Sequence, residues 1–425
     1  MTECEKRLET KNGVEVFTYK NPALHSFQIS LFVKAGCMYE KPDESGITHF
    51  LEHVAIRNVN RLYDMKLYRM LDANGLSFNA MTYSEMVHFF TAGASENFSV
   101  AAPVIAALLD PITLTREEID AERRRIKAEI RESDDKSSLA SFANKIVFEG
   151  TSLAGTIVGT NKSVDKITRK RLEDYRKSTF TKENVFFYIT GNFTDEDIAD
   201  LVSEIEKREL LGAERRKNVA PVPTSFGKRP SDIFIKSDDY VAVRFIFDLD
   251  AERIPMPVAD LLYDMLLSGY NSKLFIEMSE NRGLFYDTSE SLESFANIGT
   301  LNFSYEVRPT DLCSAIDLTV DILNSMKSPT DAEVNAAKAS YVDNALMLYD
   351  DVRELNFTFA YENHVTGAGY RSIEERRDAY SAVTAEQIGS AARELFTEGN
   401  LTLTIKGNKK TINKEAIKKS IRRLV

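Results

Sequence analysis

The sequence predicts an α+β fold of two homologous domains, each a mainly antiparallel sheet with helices packed on it. Three observations predict it: an internal repeat, apolar alternation at matching places in the two halves, and long amphipathic helices between the strands. The repeat aligns residues 167–192 with residues 383–408 without gaps, at a constant offset of 216 positions. Each copy reads as a helix, a turn and a strand that ends at Gly-Asn. An offset of about half the chain length indicates a duplicated domain.

Apolar residues at every second position predict a strand near the start of each half. They are Phe27, Ile29, Leu31 and Val33 in the first half, and Val241, Val243, Phe245 and Phe247 in the second. Such alternation is typical of a strand with one buried face. A linker is predicted at 211–231, where charge, proline and glycine collect. The first domain is then 1–210 and the second 232–425.

The composition is that of a globular chain with more than one domain, since 43% of its 425 residues are hydrophobic and 28% are charged. A net charge of −11 argues against a nucleic-acid partner, because phosphate binding needs an excess of positive surface. No apolar run reaches the roughly 18–20 residues that span a bilayer, and the first residues lack the apolar centre of a signal peptide. We therefore expect no membrane partner and a cytoplasmic location.

Three candidate site residues lie in the stretch 46–54, which reads Gly-Ile-Thr-His-Phe-Leu-Glu-His-Val. His49, Glu52 and His53 stand at i, i+3 and i+4, a spacing that places all three side chains on one face of a helix. Two imidazoles one turn apart can bind one zinc ion, and the carboxylate beside them can take a proton from the zinc-bound water. A chance histidine pair is a poor alternative, because the chain has only five histidines.

Two histidines leave zinc under-coordinated, so a further protein ligand is required. The best source is the charged segment 115–131, which reads as a helix with its own capping box. Most of its glutamates fit a solvated face. Two of them share a stripe with isoleucines, in the order Ile119, Glu122, Ile126 and Glu129. Carboxylates on an apolar stripe need a partner, and a zinc ion is one such partner.

These residues resemble the pitrilysin and insulinase family of zinc metallopeptidases, also called inverzincins, and in particular its smaller two-domain branch that is similar to the mitochondrial processing peptidase. The family motif is His-x-x-Glu-His, followed about 75 residues later by Glu-x(6)-Glu. Here Glu129 follows His53 by 76 positions. The resemblance implies a zinc cofactor held by His49, His53 and Glu129, with Glu52 as general base and Glu122 as a supporting residue of the site.

The resemblance also implies a substrate site beside the metal. Residues 78–82, Phe-Asn-Ala-Met-Thr, look like the family's edge strand, where a peptide adds as a further strand beside Asn79 and Ala80. By itself Asn79 would read as a plain turn residue, but the neighbouring motif favours the substrate interpretation. His88 follows this strand and is interpreted as a structural residue, with substrate contact as the alternative.

For the second half, the resemblance implies a domain without metal that contributes to a substrate chamber, the two domains facing each other like a clamshell. The stretch that corresponds to the motif, 263–267, has no ligand set. Family members usually carry here an arginine seven residues before a tyrosine. Tyr286 matches the tyrosine and is implied to donate to the oxyanion, whereas Ser279 stands in the arginine's place. Either Arg282, three residues away, or a partner subunit would supply the cation.

Two functions remain open on the sequence. The first is a zinc endopeptidase that cleaves peptides or unfolded protein segments in extended conformation. The second is a motif-bearing subunit of a heterodimeric peptidase, or a scaffold subunit with little activity of its own. The complete motif favours the enzyme, while the missing arginine favours a homodimer or a heterodimer with a related subunit.

Overall fold

The computed structural model of the chain describes residues 4–132, 138–210, 231–233, 239–268, 271–286, 288–294 and 299–424. The predicted linker at 211–231 lies outside these residues except for its last position. None of the helices in the described part of the chain is both long and apolar enough to cross a membrane.

The described strands form two sheets. The first sheet contains β1 (Lys6–Glu9), β2 (Glu15–Lys20), β3 (Ser26–Val33), β4 (Ser77–Thr82), β5 (Val87–Ala94) and β6 (Val185–Gly191). The second sheet contains β7 (Ser231–Ile233), β8 (Val241–Leu249), β9 (Thr288–Ser294), β10 (Gly299–Val307) and β11 (Leu401–Lys406).

Helices separate most of the strands along the chain. In chain order the α-helices of the described residues are α1 (Ile47–Leu62), α2 (Leu67–Ala73), α3 (Phe98–Ala106), α4 (Arg116–Glu132), α5 (Leu139–Val147), α6 (Asn161–Lys166), α7 (Arg169–Thr179), α8 (Asp195–Glu206), α9 (Met256–Leu266), α10 (Leu312–Ser325), α11 (Asp331–Val342), α12 (Val352–Phe359), α13 (Ile373–Ser381), α14 (Ala385–Leu395) and α15 (Lys414–Ile421). Two π-helical segments, Phe275–Glu280 and Ala360–Thr366, also occur.

The two sheets share one strand order, which confirms the duplication predicted from the repeat. The first sheet runs β1-β2-β6-β3-β5-β4 and the second runs β7-β11-β8-β10-β9. If β1 is set aside, the orders correspond strand for strand. Even the single parallel pairing recurs at the same place, between β2 and β6 and between β7 and β11, while the other pairs are antiparallel. The predicted α+β class with mainly antiparallel sheets is therefore confirmed.

The chain forms two compact units. They do not coincide with the two halves of the sequence, because each unit includes a segment from the other half. The described residues of the first unit fall within Met1–Asp134, Thr151–Val219 and Leu346–Glu375. Those of the second fall within Asp135–Gly150, Ala220–Ala345 and Arg376–Val425. Helix α12 from the second half of the chain thus belongs to the first unit, and helix α5 from the first half belongs to the second.

The exchanged helix α12 explains why strand β3 is buried on both faces rather than on the one face that its alternation predicts. The predicted apolar residues of β3 are fully buried in the core of the first unit. On the opposite face Ser30 is also buried, and its hydroxyl donates to Asn356 Oδ1 of α12 at 2.6 Å. Asn356 Nδ2 donates to the Tyr188 carbonyl oxygen at 3.0 Å. Helix α12 therefore shields this face of the sheet from water and supplies hydrogen-bond partners to the polar groups that it buries.

Candidate metal and catalytic site

Helix α1 carries the predicted motif, and its N-cap residue is Gly46, whose φ of 85° lies in the left-handed region. A Cβ at this position would come within 2.8 Å of the Val158 carbonyl oxygen, so the close approach of the neighbouring chain requires glycine as well. The first motif histidine lies one turn further along the helix.

The buried carboxylate of Glu40 holds the first turn of α1. Its two oxygens accept hydrogen bonds from the backbone N–H groups of Gly46 and Thr48, each at 2.9 Å. Helix N-termini leave such N–H groups unpaired and favour negative charge beside them. Burial raises the pKa of Glu40 to about 7, although the hydrogen bonds from Thr48 and Gly46 oppose this effect. The helix that presents the motif is thus fixed at its start.

Helix α4 brings the second pair of predicted residues to the motif. Its first turn has the predicted capping box, in which the Thr115 N–H donates to the Glu118 carboxylate at 2.7 Å and the Glu118 N–H donates to Thr115 Oγ1 at 3.3 Å. The isoleucines of the predicted stripe are buried in the core of the first unit. Because Glu122 and Glu129 share that stripe, they face α1 instead of the opposite, solvated side of α4.

His49, His53 and Glu129 meet between α1 and α4. Glu129 Oε1 lies 3.6 Å from His49 Nε2, and Glu129 Oε2 lies 3.6 Å from His53 Nε2. One ligand atom from each residue lies within 4.8 Å of the other two. Within the described ranges, no other set of three or more His, Cys, Asp or Glu side chains that could hold a metal ion comes this close together.

This donor set fits a zinc ion. Ligands of a tetrahedral ion with bonds of about 2.0–2.1 Å stand roughly 3.3–3.4 Å apart. Each histidine Nε2 lies 3.6 Å from one oxygen of the Glu129 carboxylate, a different oxygen for each histidine. Burial and the neighbouring His53 lower the pKa of His49 to about 3, so that this imidazole is neutral and keeps a lone pair for a metal. Two imidazoles and one carboxylate also leave a fourth position open, as catalytic zinc sites require.

Glu52 lies beside this set and is almost fully buried, with 7% exposure. Thr82 Oγ1 donates a hydrogen bond to Glu52 Oε2 at 2.6 Å. Burial raises the pKa of Glu52, and the charge of Glu129 raises it further, which outweighs the opposite effects of Thr82 and His53. A carboxyl group with a raised pKa is better matched to proton transfer near neutral pH.

Two family descriptions match the chain in sequence. The family described as Insulinase (Peptidase family M16) matches residues 15–161, which contain the motif together with Glu122 and Glu129 of α4. The family described as Peptidase M16 inactive domain matches residues 166–341. The chain belongs to the insulinase family of peptidases. The resemblance inferred from the motif is thereby confirmed.

Relatives within the insulinase family extend over nearly the whole chain. An uncharacterized zinc protease of Mycobacterium leprae is 24% identical over 423 residues, which covers 96% of this chain and 94% of the relative. An uncharacterized zinc protease of Rickettsia bellii is 26% identical over 408 residues, which covers 94% of this chain and 96% of the relative. Among solved structures, a protease from Helicobacter pylori has a TM-score of 0.84 at 17% identity and covers 96% of this chain and 100% of that one. That likeness shows a common fold.

In this insulinase-family chain, Glu122 contacts His53 at Nδ1, the ring nitrogen that does not face Glu129. Glu122 is 4% exposed, and its Oε2 lies 3.3 Å from His53 Nδ1. Arg57 Nη1 donates to Glu122 Oε1 at 2.7 Å. Burial alone would raise the pKa of Glu122, but the hydrogen bonds from His53 and Arg57 outweigh it and hold the pKa below its usual value. A charged Glu122 fixes the ring of His53 with Nε2 directed at Glu129.

Glu122→Gln is therefore expected to lower zinc affinity by about 10- to 100-fold, because a neutral amide holds the His53 ring less firmly. Competition with a coloured zinc chelator measures this change. Glu117→Gln is a matched control, since Glu117 lies exposed in the first turn of the same helix. An affinity equal to wild type in Glu122→Gln would contradict the supporting role.

The predicted substrate strand is β4, which is the last strand of the first sheet in the strand order. Asn79 is exposed and lies within this strand rather than in a turn. The Ala80 N–H donates to Asn79 Oδ1 at 2.9 Å, so this N–H points away from the paired strand β5. The edge of β4 thus presents backbone groups to which an extended peptide can pair.

His88, for which the sequence favours a structural role over substrate contact, is buried in the sheet of the first unit. Its Nε2 lies 2.9 Å from Ser30 Oγ, and its ring stacks on Phe32 with 4.2 Å between the centroids. Burial lowers the pKa of His88 to about 3. Through Ser30, His88 joins the buried hydrogen bonds that connect the sheet to Asn356 of α12, which favours the structural interpretation.

The residues predicted in the second half are described within the second unit. Tyr286 is 95% exposed. Arg282 is engaged locally, since its Nη1 donates to the Glu277 carboxylate at 2.6 Å. Ser279, which replaces the expected arginine, donates from Oγ to the Phe285 carbonyl oxygen at 2.9 Å. Tyr286 and Arg282 line one polar cavity of about 1150 Å³. Their roles toward a substrate stay predictions.

Three residues at this site escaped the sequence interpretation. Arg57 stands one turn after His53 on the motif helix, so the same i+4 spacing that identified the histidines could have identified it. Thr82 is the last residue of the edge-strand motif, whose sequence indicates peptide pairing and not a contact with Glu52. Glu40 lies in the loop before α1, where no spacing rule indicates a partner.

Proposed function

We propose that this chain is a zinc-dependent endopeptidase that hydrolyses peptides bound in extended conformation. The observation that carries the proposal is the convergence of His49, His53 and Glu129, with Glu52 buried beside them. Membership of a peptidase family and relatives named zinc proteases support the same reaction class.

In this proposal His49, His53 and Glu129 would hold the zinc ion through the atoms that face one another, His49 Nε2, His53 Nε2 and the Glu129 carboxylate. The chemistry that zinc supplies at such a site is Lewis acidity, which polarises a carbonyl oxygen and makes water acidic enough to lose a proton near neutral pH. Glu122 and Arg57 keep His53 oriented for this purpose.

Glu52 moves the protons. Its Oε1, the carboxylate oxygen that Thr82 does not contact, takes a proton from the attacking water and then delivers it to the leaving amine nitrogen of the cleaved peptide. The peptide lies along β4 beside Asn79 and Ala80, and its backbone pairs with the edge of that strand that faces away from β5. Backbone pairing tolerates many side chains, so a broad range of unfolded segments fits this mode.

A second candidate is a motif-bearing subunit that depends on a related partner, or a scaffold subunit with little activity. Ser279 in place of the expected arginine and the pairing of Arg282 with Glu277 favour it. Substantial hydrolysis by the isolated chain would contradict obligate dependence on a partner. Activity that arises only after addition of a related subunit would support it.

Removal and return of zinc test the main proposal. The purified chain is expected to hold about one zinc ion and to cleave quenched-fluorescent peptides from a mixed-sequence library. Treatment with a chelator should abolish cleavage, and stoichiometric zinc should restore it, because the donor set has a carboxylate and two imidazoles suited to this ion. Cleavage that persists in a chain proven free of metal would contradict the proposal.

A further inference from the structure

Thr82 joins the proposed substrate strand to the proposed general base. Its hydroxyl donates to Glu52 Oε2 at 2.6 Å, although the two residues lie 30 positions apart. Thr82 is the last residue of β4, whereas Glu52 lies in the second turn of α1. Among the described residues, this is the hydrogen bond that the Glu52 carboxylate makes.

The backbone N–H and C=O of Thr82 point to the edge of β4 that faces away from β5. The Ala80 N–H points away from β5, because it donates to Asn79 Oδ1 instead of to the neighbouring strand. Alternate residues of an antiparallel strand direct their N–H and C=O groups to the same side, so Thr82 shares the direction of Ala80. The Tyr83 N–H agrees, since it donates to the Met86 carbonyl oxygen on the paired side at 2.8 Å. Thr82 therefore offers its main chain to a peptide and its side chain to Glu52.

We infer that Thr82 is a positioning residue, whose hydroxyl fixes the Glu52 carboxylate against the peptide paired on β4. This inference rests on the proposed peptidase function. A glutamate has three rotatable side-chain bonds, and a buried carboxylate with one hydrogen bond loses its defined orientation when that bond is removed. Misplacement of a catalytic group by about 1 Å can cost roughly 100-fold in rate. The peptide would still bind through backbone groups that Thr82 substitutions retain.

Thr82→Val and Thr82→Ser in the full zinc-loaded chain test the inference. Valine keeps the shape of threonine without the hydroxyl, and serine keeps the hydroxyl without the methyl group. Thr82→Val is expected to lower kcat by about 10- to 100-fold with KM changed less than about twofold. Thr82→Ser should recover most of the lost kcat. Zinc content should equal that of wild type in both, since the hydrogen bond of the Thr82 hydroxyl among the described residues goes to Glu52 and not to a proposed ligand.

Thr91→Val is the matched control, because Thr91 lies on the adjacent strand β5, is fully buried, and its hydroxyl has no hydrogen-bond partner within the described residues. It should retain wild-type kcat. Crystal structures give a readout that needs no activity: the Glu52 carboxylate should be displaced or spread over several orientations in Thr82→Val and ordered in Thr82→Ser. These structures decide the inference even if a variant is less stable in solution.

Three outcomes would overturn the inference: an unchanged kcat in Thr82→Val, an equal loss in the valine and serine variants, or an unmoved Glu52 carboxylate in the Thr82→Val crystal. A rise in KM at constant kcat would likewise contradict it and assign Thr82 to peptide binding alone. If wild type itself cleaves no peptide, the proposed function fails separately, and the crystallographic comparison still decides whether the hydroxyl orients Glu52.

Discussion

Glu52→Gln should lower kcat by about 100- to 10,000-fold, the range that a positioned general base contributes. Glutamine has the shape of glutamate, so the zinc content should stay at about one ion per chain. The amide oxygen accepts a hydrogen bond from Thr82 but cannot accept a proton from water at neutral pH. Hydrolysis of a quenched-fluorescent peptide, measured together with zinc content, separates the loss of chemistry from the loss of metal.

Glu117→Gln provides the comparison for this experiment, because it makes the same chemical change at an exposed position on α4. It should retain full activity. A Glu52→Gln chain that cleaves peptides as fast as wild type would exclude Glu52 as the base, whatever its zinc content. A chain that loses its zinc instead would show that Glu52 holds the metal.

Glu129→Gln should lower zinc affinity by more than about 100-fold, which exceeds the effect expected for a residue that only supports a ligand. Glu129 supplies the one negative charge of the proposed ligand set, and an amide oxygen is a much weaker ligand for zinc. His49 and His53 alone would leave the ion with two protein ligands. Isothermal titration or chelator competition measures the affinity, and peptide hydrolysis should fall with it.

Glu132→Gln is the matched variant for Glu129, since it lies three residues later on α4 and is exposed. Its zinc affinity and activity should equal those of wild type. The third-ligand assignment would be wrong if Glu129→Gln bound zinc as tightly as Glu132→Gln.

The duplicated fold was predictable because its signals are local and repeated. Thr168 and Thr384 mark equivalent helix starts in the repeat, and each accepts the expected N-cap hydrogen bond. The exchanged helices were not predictable, because an amphipathic helix such as α12 carries no mark of the sheet that it covers. Asn356 shows this well: it reads as an ordinary polar residue until its position over Ser30 is seen.

The candidate site likewise has residues that the sequence could predict and residues that it could not. The common face of His49, Glu52 and His53 follows from helix geometry, which the spacing of three nearby residues determines. The approach of Glu129 required either the family resemblance or the structure, because no local rule brings α4 to α1. Thr82 and Glu40 depend on hydrogen bonds between separate elements, so sequence spacing alone could not reveal them.

The position of α12 in the first unit bears on how the protein is made. Ser30 and its hydrogen-bond partner Asn356 are 326 positions apart, so the ribosome must complete most of the second half before that layer of the first unit can close. A nascent chain that has just passed residue 210 has every proposed zinc ligand yet lacks the helix over its sheet. The proposed ligand set is therefore complete before α12 can cover the sheet, and we expect the motif-bearing half to be insoluble when it is produced as a truncated fragment, because that face of the sheet stays uncovered.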